Sequence, residues 1–304
     1  MLKRALQGIY SILPFKNQLF KVLRLFHPGE NITRHLKFKG KIKVQVDEKN
    51  SFYIQNNGDG IEQILFWHGI EGWEKYSTRG WKALAKNSGT IVDVGANTGV
   101  FSLIAASVNP AAKIFCFEPV PFIYDMLQNN IQLNAFSNIT PLCKAASDKS
   151  GMAKIQTLDS GNLYESSLDS GHMEHMTHLK KDLKVIFKEI ETVRLDDFIT
   201  NNNIRAIDLM KIDVESHEPA VIEGMGALLE KFQPILFIEI LTGEVAEKLS
   251  RFFSPEKYIF FNISEEAGYQ KVGTLSRSDS FNFLICPVSR QHQLPEFIFN
   301  GAIN

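Results

Sequence analysis

The chain has 304 residues, 44% of them hydrophobic and 22% charged, with a formal net charge of −1. That length buries a sizeable core and that balance excludes global disorder, leaving one large domain or a domain with an appendage. The near-zero total conceals an asymmetry: residues 1–44 hold ten basic residues (Lys3, Arg4, Lys16, Lys21, Arg24, Arg34, Lys37, Lys39, Lys41, Lys43) and one acid, Glu30, so the rest of the chain is net acidic.

An acidic body argues against a nucleic-acid partner. A basic segment with an apolar face either packs on the domain as a solvated helix or makes peripheral membrane contact through residues 1–26. Cys116, Cys143 and Cys286 lie far apart with no metal-ligand spacing, which reads as reduced, buried thiols. The N-terminus lacks a signal-peptide pattern and no apolar run reaches the length of a bilayer span, so a cytoplasmic protein is expected.

Residues 1–26 read as one or two short helices broken near Pro14. Residues 36–56 alternate like strands (Ile42, Val44, Val46, then Phe52-Tyr53-Ile54) and close on the turn cluster Asn56 to Gly60. From Ile61 to Ala85 apolar residues recur at helical spacing, with Trp67, Trp73 and Trp81 close together. The first 88 residues thus form a basic helical and strand cap, not an independent enzyme.

Beyond residue 88 strands and helices alternate: strand Thr90 to Val94, helix Val100 to Val108, strand Lys113 to Phe117, helix Phe122 to Asn134, strand Ile139 to Lys144. Two buried strands, Asp208 to Val214 and Ile235 to Ile240, flank a helix around Ala220 to Phe232. This rhythm predicts an α/β fold with a doubly wound parallel sheet over residues 89–290, followed by a tail, 291–304. Phe281 to Val288 reads as a final strand, antiparallel at the far side of the sheet. Residues 157–190 break the rhythm, and their Ser, Gly, His and Lys content predicts an inserted loop over the site. His172, His175 and His178 lie in it at i, i+3, i+6 spacing that no nearby acid or cysteine completes, so no metal is expected there.

Asp93-Val94-Gly95-Ala96-Asn97-Thr98-Gly99 follows a strand and opens a helix. Gly95 and Gly99 permit a sharp turn and close approach of a ligand to backbone. Glu118 ends the next strand 25 residues after Asp93, near the roughly 20-residue spacing of an acid that grips ribose hydroxyls. A dinucleotide loop wants three glycines facing a pyrophosphate. An acid before the first glycine repels pyrophosphate but suits a ligand with an ammonium group, such as S-adenosylmethionine. An NAD-dependent oxidoreductase is the alternative reading of the loop.

Gly95-Ala96-Asn97-Thr98-Gly99, Phe117-Glu118-Pro119, Ala146-Ser147-Asp148 with Gly151, Leu195-Asp196-Asp197-Phe198, and Lys211-Ile212-Asp213-Val214-Glu215-Ser216-His217-Glu218 occur in that order. The series resembles the FkbM family of S-adenosylmethionine-dependent methyltransferases over roughly residues 88–290. The resemblance implies a class I methyltransferase (Rossmann-like) fold, seven strands with the last antiparallel, and O-methylation of a hydroxyl on a sugar, glycan or glycosylated natural product. Ser216 stands where that family usually has glycine.

Methyl transfer from a sulfonium asks the protein to align the acceptor and remove its proton. Asp213, Glu215 and His217, in the turn after the fourth strand, are the catalytic candidates. They supply a general base, hold a divalent cation, or orient substrate. Glu218 and Glu239 lie on the same rim. Asp93, Gly95, Ala96, Asn97, Gly99, Glu118, Ser147 and Asp148 form the expected cofactor set, the last two flanking the adenine. Glu71 and Glu74 are placed to reach the methionine end of the cofactor, and Asn134 reads as a helix cap. A noncatalytic S-adenosylmethionine-binding scaffold is the alternative to an enzyme acting on a small-molecule or glycan acceptor.

Overall fold

The computed structural model describes residues 15–26, 28–33, 35–58, 60–159 and 184–300. The expected break near Pro14 and the three histidines His172, His175 and His178 lie outside the described residues.

A helix, Lys16–Leu23, precedes a hairpin of β1 (Gly40–Gln45) and β2 (Ser51–Asn56). Ile42, Val44, Phe52 and Ile54 alternate inward, and the Asp47 side chain closes the turn by accepting from the N–H groups of Lys49 and Asn50. Helices Gly60–His68 and Lys75–Ala85 follow, and Gly69, at φ 72°, interrupts the helical periodicity between them.

The remaining strands are β3 (Thr90–Val94), β4 (Lys113–Phe117), β5 (Ile139–Leu142), β6 (Ala145–Ser147), β7 (Gly151–Asp159), β8 (Lys184–Arg194), β9 (Leu209–Ile212), β10 (Ile235–Glu239), β11 (Tyr258–Ser264), β12 (Gly268–Val272) and β13 (Asn282–Pro287). The central sheet runs β12-β11-β13-β10-β9-β3-β4-β5. From β10 to β5 neighbours are parallel, and β13 pairs antiparallel with β10, as the expected final antiparallel strand. Two features differ from expectation. β13 inserts between β10 and β11 instead of lying at the far side, and β12 adds an eighth strand at the edge. The polar run Ser264-Glu265-Glu266-Ala267 that made this stretch look turn-rich is only the short connection of the β11–β12 hairpin.

Successive strand residues feed opposite cores. Ile91, Ile114, Leu209 and Phe237 join the helices Lys75–Ala85, Val100–Val108 and Pro121–Asn134 on one face. Val92, Phe117, Met210 and Leu236 join helices Leu195–Asn201, Glu218–Gly224, Ala227–Phe232 and Gly243–Ser250 on the other. The single helix expected around 220–232 is two, divided at Gly226 (φ 52°).

The N-terminal segment is built into the first core. Trp81 is fully buried, meets Phe101 and Phe237 edge-on, and donates its Nε1–H to the Phe101 carbonyl at 2.9 Å. Asn134 is not a helix cap: its carboxamide accepts from Tyr53 N–H at 2.6 Å and donates to Tyr53 C=O at 2.7 Å, while Asn130 Oδ1 accepts from Gln55 N–H.

The expected loop over 157–190 is, at both its described ends, a long ribbon. β7 and β8 pair antiparallel from Gly151↔Thr192 to Asp159↔Lys184, and β6 joins β8 in parallel. Glu189 and Glu191 face solvent while Ile190 is buried, and the charged outer face masks a period-two pattern. All three cysteines are free, Cys116 and Cys286 being buried. Among the described residues no helix is long and apolar enough to cross a membrane.

Replacing Trp81 with Ala removes the side chain that joins the N-terminal segment to the sheet. The expected cost is about 3–5 kcal/mol, read as a lower urea midpoint at unchanged m in circular dichroism.

Candidate active site

A cavity of about 550 Å³ opens beyond the carboxyl ends of the parallel strands. Its floor is the loop Asp93 to Thr98 with Phe117 to Val120. One wall comes from β6 and the β7–β8 ribbon, another from Ile61, Trp73 and Glu74 of the N-terminal segment, and the rim from Asp213 to Glu215, His217 and Glu239.

The loop spends its own donors. The N–H groups of Gly95 and Ala96 both reach the Phe117 carbonyl, that of Asn97 reaches Glu118 Oε2 at 3.1 Å, that of Thr98 reaches Asn97 Oδ1, and that of Gly99 reaches the Ala96 carbonyl. A pyrophosphate would need such N–H groups aimed outward, so the geometry disfavours a dinucleotide. Glu118 is buried, and its second oxygen accepts from Val120 N–H at 2.9 Å. Two backbone donors fix the carboxylate and leave lone pairs facing the cavity. Burial pushes its carboxyl up to about 7, against those two hydrogen bonds.

The glycines act differently from the expectation of close ligand approach. Gly95 (φ 82°) lines the cavity, but a Cβ there would overlap the Asp213 carbonyl oxygen, so its absence lets the ends of β3 and β9 close together. Gly99 (φ 97°) precedes the helix Val100–Val108, where a Cβ would collide with Leu127; it does not line the cavity. Thr98, one residue earlier, donates its hydroxyl to the fully buried Glu62 of the N-terminal segment.

Asp93 and Lys211 stand side by side in register on β3 and β9, both buried. Lys211 Nζ lies 2.5 Å from Asp213 Oδ2 and 4.5 Å from the Phe101 ring centroid. Burial alone lowers an ammonium pKa, but Asp213, Glu74 and Asp93 outweigh it and hold Lys211 above its ordinary value. Asp93 accepts from Ser102 Oγ at 2.6 Å; burial raises its carboxyl pKa, opposed by Lys211. Burial, then repulsion from Asp213 and Glu215, pushes Glu239 up to about 10. Glu74, in left-handed backbone at φ 40°, is pushed up to about 7 by burial against the pull of Lys211. The Oε2 atoms of Glu74 and Glu239 are buried with no hydrogen-bond partner among the described residues. Glu71 faces solvent and does not line the cavity.

The turn after β9 carries two consecutive left-handed residues, Glu215 (φ 55°) and Ser216 (φ 76°). The buried Glu218 carboxylate ties this turn together by accepting from the N–H groups of Val214 and Ser216. His217 sits at the exposed rim with Nε2 2.9 Å from Ser147 Oγ, which lies 3.1 Å from Asp148 Oδ1. One consistent assignment has Ser147 donating to Asp148 and accepting from His217 Nε2–H, which leaves Nδ1 with a lone pair. Ser147 therefore serves His217 as well as lining the cavity, and Asp148 is outside the lining.

Of the residues expected from sequence, Asp93, Gly95, Ala96, Asn97, Glu118, Ser147, Asp213, Glu215 and His217 meet at one cavity, and Gly99 and Asp148 stand behind it. Lys211 and Glu62 were missed. Lys211 had a signal, a lone charge inside the apolar run Asp208 to Val214; Glu62 had none beyond an acid at the start of a helix. Among the described residues no group of three or more His, Cys, Asp or Glu side chains is arranged to hold a metal ion.

Residues 93–271 match the family model described as the methyltransferase FkbM domain. Among curated relatives, the chain is 33% identical over 153 residues to the 31-O-demethyl-FK506 methyltransferase FkbM of Streptomyces tacrolimicus, covering 44% of this chain and 58% of that one. It is 29% identical over 152 residues to the 2-O-methyltransferase NoeI of Sinorhizobium fredii (49% and 62%). It is 25% identical over 173 residues to the hexuronic acid methyltransferase AglP of Haloferax volcanii (57% and 64%). In each case the match spans less than two thirds of the relative's length.

Ser216 holds left-handed backbone that glycine adopts without a Cβ penalty. Ser216→Gly is expected to raise the unfolding free energy by about 1 kcal/mol, measured as a higher denaturant midpoint.

Proposed function

The chain belongs to the methyltransferase FkbM domain family, and on that premise we propose that it is an S-adenosylmethionine-dependent O-methyltransferase acting on a hydroxyl of a sugar, glycan or glycosylated natural product. The observation that carries the cofactor assignment is the pairing, in one cavity, of a backbone-fixed Glu118 with a loop whose N–H donors are internally satisfied. The buried, unpartnered oxygen of Glu74, in the cavity that Asp93 also lines, supplies what an ammonium group needs. The names of the relatives, two of which specify O-methylation or an O-demethyl substrate and one a hexuronic acid, support the hydroxyl and sugar reading.

When bound, S-adenosylmethionine supplies a methyl group already activated on a sulfonium. Glu118 would accept hydrogen bonds from the ribose hydroxyls, and Glu74 with Asp93 would face the ammonium end. Val120 and Ile123 offer an apolar wall beside Glu118. The chain's remaining tasks are to orient the acceptor and take its proton. His217 is the base in this reading: Ser147 holds Nε2, Nδ1 receives the hydroxyl proton, and the exposed rim lets it pass to water. Asp213 is engaged by Lys211 and acts by holding that cation in place.

Calorimetric titration with S-adenosylmethionine, then a screen of glycosylated acceptors for a methyl-group mass gain, tests the reading; absence of cofactor binding sinks it. Glu118→Gln is expected to weaken cofactor binding by about 10–100-fold. The pH dependence has a fixed sign. Burial has raised the Glu118 pKa, so Glu118 without ligand is uncharged below about 7, and its ionisation costs stability as pH rises from the ordinary value of 4.5 to about 7. Hydroxyl donors favour the ionised form, so cofactor binding is expected to tighten as pH rises through about 7, and Glu118→Gln to flatten that dependence. His217→Ala is expected to lower kcat by about 100-fold or more with cofactor affinity unchanged; near-normal turnover removes it from the chemistry.

A further inference from the structure

Away from the cavity, six large apolar side chains project into solvent within eighteen residues: Phe15 is 73% exposed, Leu19 50%, Val22 52%, Leu25 74%, Phe26 76% and Ile32 56%. Phe15, Leu19, Val22 and Phe26 follow i, i+4, i+7, i+11, one stripe along the helix Lys16–Leu23 and its continuation. The opposite side of the same helix is already anchored: Phe20 is buried, with its ring 5.8 Å from that of Trp67. The helix therefore has a second apolar face that the described residues leave exposed.

Beside it runs a row of cations. Lys37, Lys39, Lys41 and Lys43 are all exposed, while Phe38, Ile42 and Val44 between and beyond them are buried. In β1 a period of two places Lys41 and Lys43 on one side at a spacing of roughly 7 Å, and Lys37 and Lys39 carry the same alternation of exposure into the segment before it. Asn17 Nδ2 donates to the Lys39 carbonyl at 2.7 Å, which locks the helix against the lysine row.

We propose that this surface docks on an anionic lipid bilayer, with Leu19, Val22, Leu25 and Phe26 entering the headgroup–acyl boundary and Lys39, Lys41 and Lys43 meeting anionic headgroups. Charge complementarity selects this occupant. A nucleic acid would satisfy the lysines but offers nothing to an aliphatic stripe. A second copy of the chain would bury the stripe, but a two-fold contact sets one lysine row near the other. A bilayer surface satisfies both features together. Docking here is independent of what the cavity binds.

Vesicle flotation of the full chain tests the proposal, with phosphatidylcholine alone and with about 30% phosphatidylglycerol, at salt of about 50 and 300 mM. The chain is expected to float with the anionic vesicles and to be released by salt. The triple change Lys39→Gln, Lys41→Gln, Lys43→Gln is expected to weaken binding about fivefold per lysine. The pair Leu25→Ser, Phe26→Ser is expected to weaken it at least about tenfold. Both variants alter exposed side chains, and an unchanged melting temperature confirms that each is folded. The proposal is overturned by no flotation, by equal binding to both vesicle types, or by wild-type binding in both folded variants. It is also overturned if the chain binds a short DNA duplex but not vesicles, or if the apolar pair abolishes a dimer in sedimentation without affecting flotation.

Discussion

A buried ammonium, that of Lys211, is the charge around which the site is organised. Asp93 on β3, Asp213 at the end of β9, and Glu74 from the N-terminal segment all act on it. Without that cation the carboxylates would face one another in a low-dielectric space, where ionised groups are costly unless paired. With it, three stretches far apart in sequence converge on one end of the sheet. Phe101 covers the same ammonium with its ring and accepts the Trp81 indole N–H through its carbonyl. The charged end of the cavity and the apolar seam beneath the N-terminal segment are therefore joined through a single residue.

The loop from Asp93 to Thr98 shows the same economy in its backbone. Phe117 C=O and Glu118 take the N–H groups of Gly95, Ala96 and Asn97, so β4 shapes the turn that follows β3. Gly95 allows that turn to touch the Asp213 carbonyl, which couples the loop to the rim. Glu118 thereby both holds the loop and faces the cavity. A carboxylate whose orientation is already fixed by backbone donors loses little freedom when a ligand arrives.

Much of the sheet was legible because its parallel strands are short, continuous apolar runs closed by turn residues; Thr90 to Val94 and Lys113 to Phe117 have those bounds in the structure. The antiparallel final strand was expected, but its insertion between β10 and β11 depends on long-range pairing that no local pattern records. In β8, Glu189 and Glu191 on the solvated face, and Lys188 on the face of the buried Ile190, hid the alternation. The convergence of Asp93, Gly95, Ala96 and Asn97 on one cavity was legible from their strand–loop–helix context, whereas spacing alone could not say that Gly99 and Asp148 do not line it. The contact of Ser147 with His217 joins residues seventy positions apart, and the Lys211 ion cluster draws on three separate stretches of chain; in both, only the folded backbone brings the partners together.

The Asn130 and Asn134 carboxamides have a consequence for solubility. β2 is the outer strand of a two-stranded sheet, and an open backbone edge is a template for pairing with other chains. Asn134 presents to Tyr53 the same donor and acceptor that a neighbouring strand residue would present, and Asn130 occupies the next site at Gln55. Two side chains of a helix thus stand in for a missing strand, covering this edge of β2 against strand addition without lengthening the sheet.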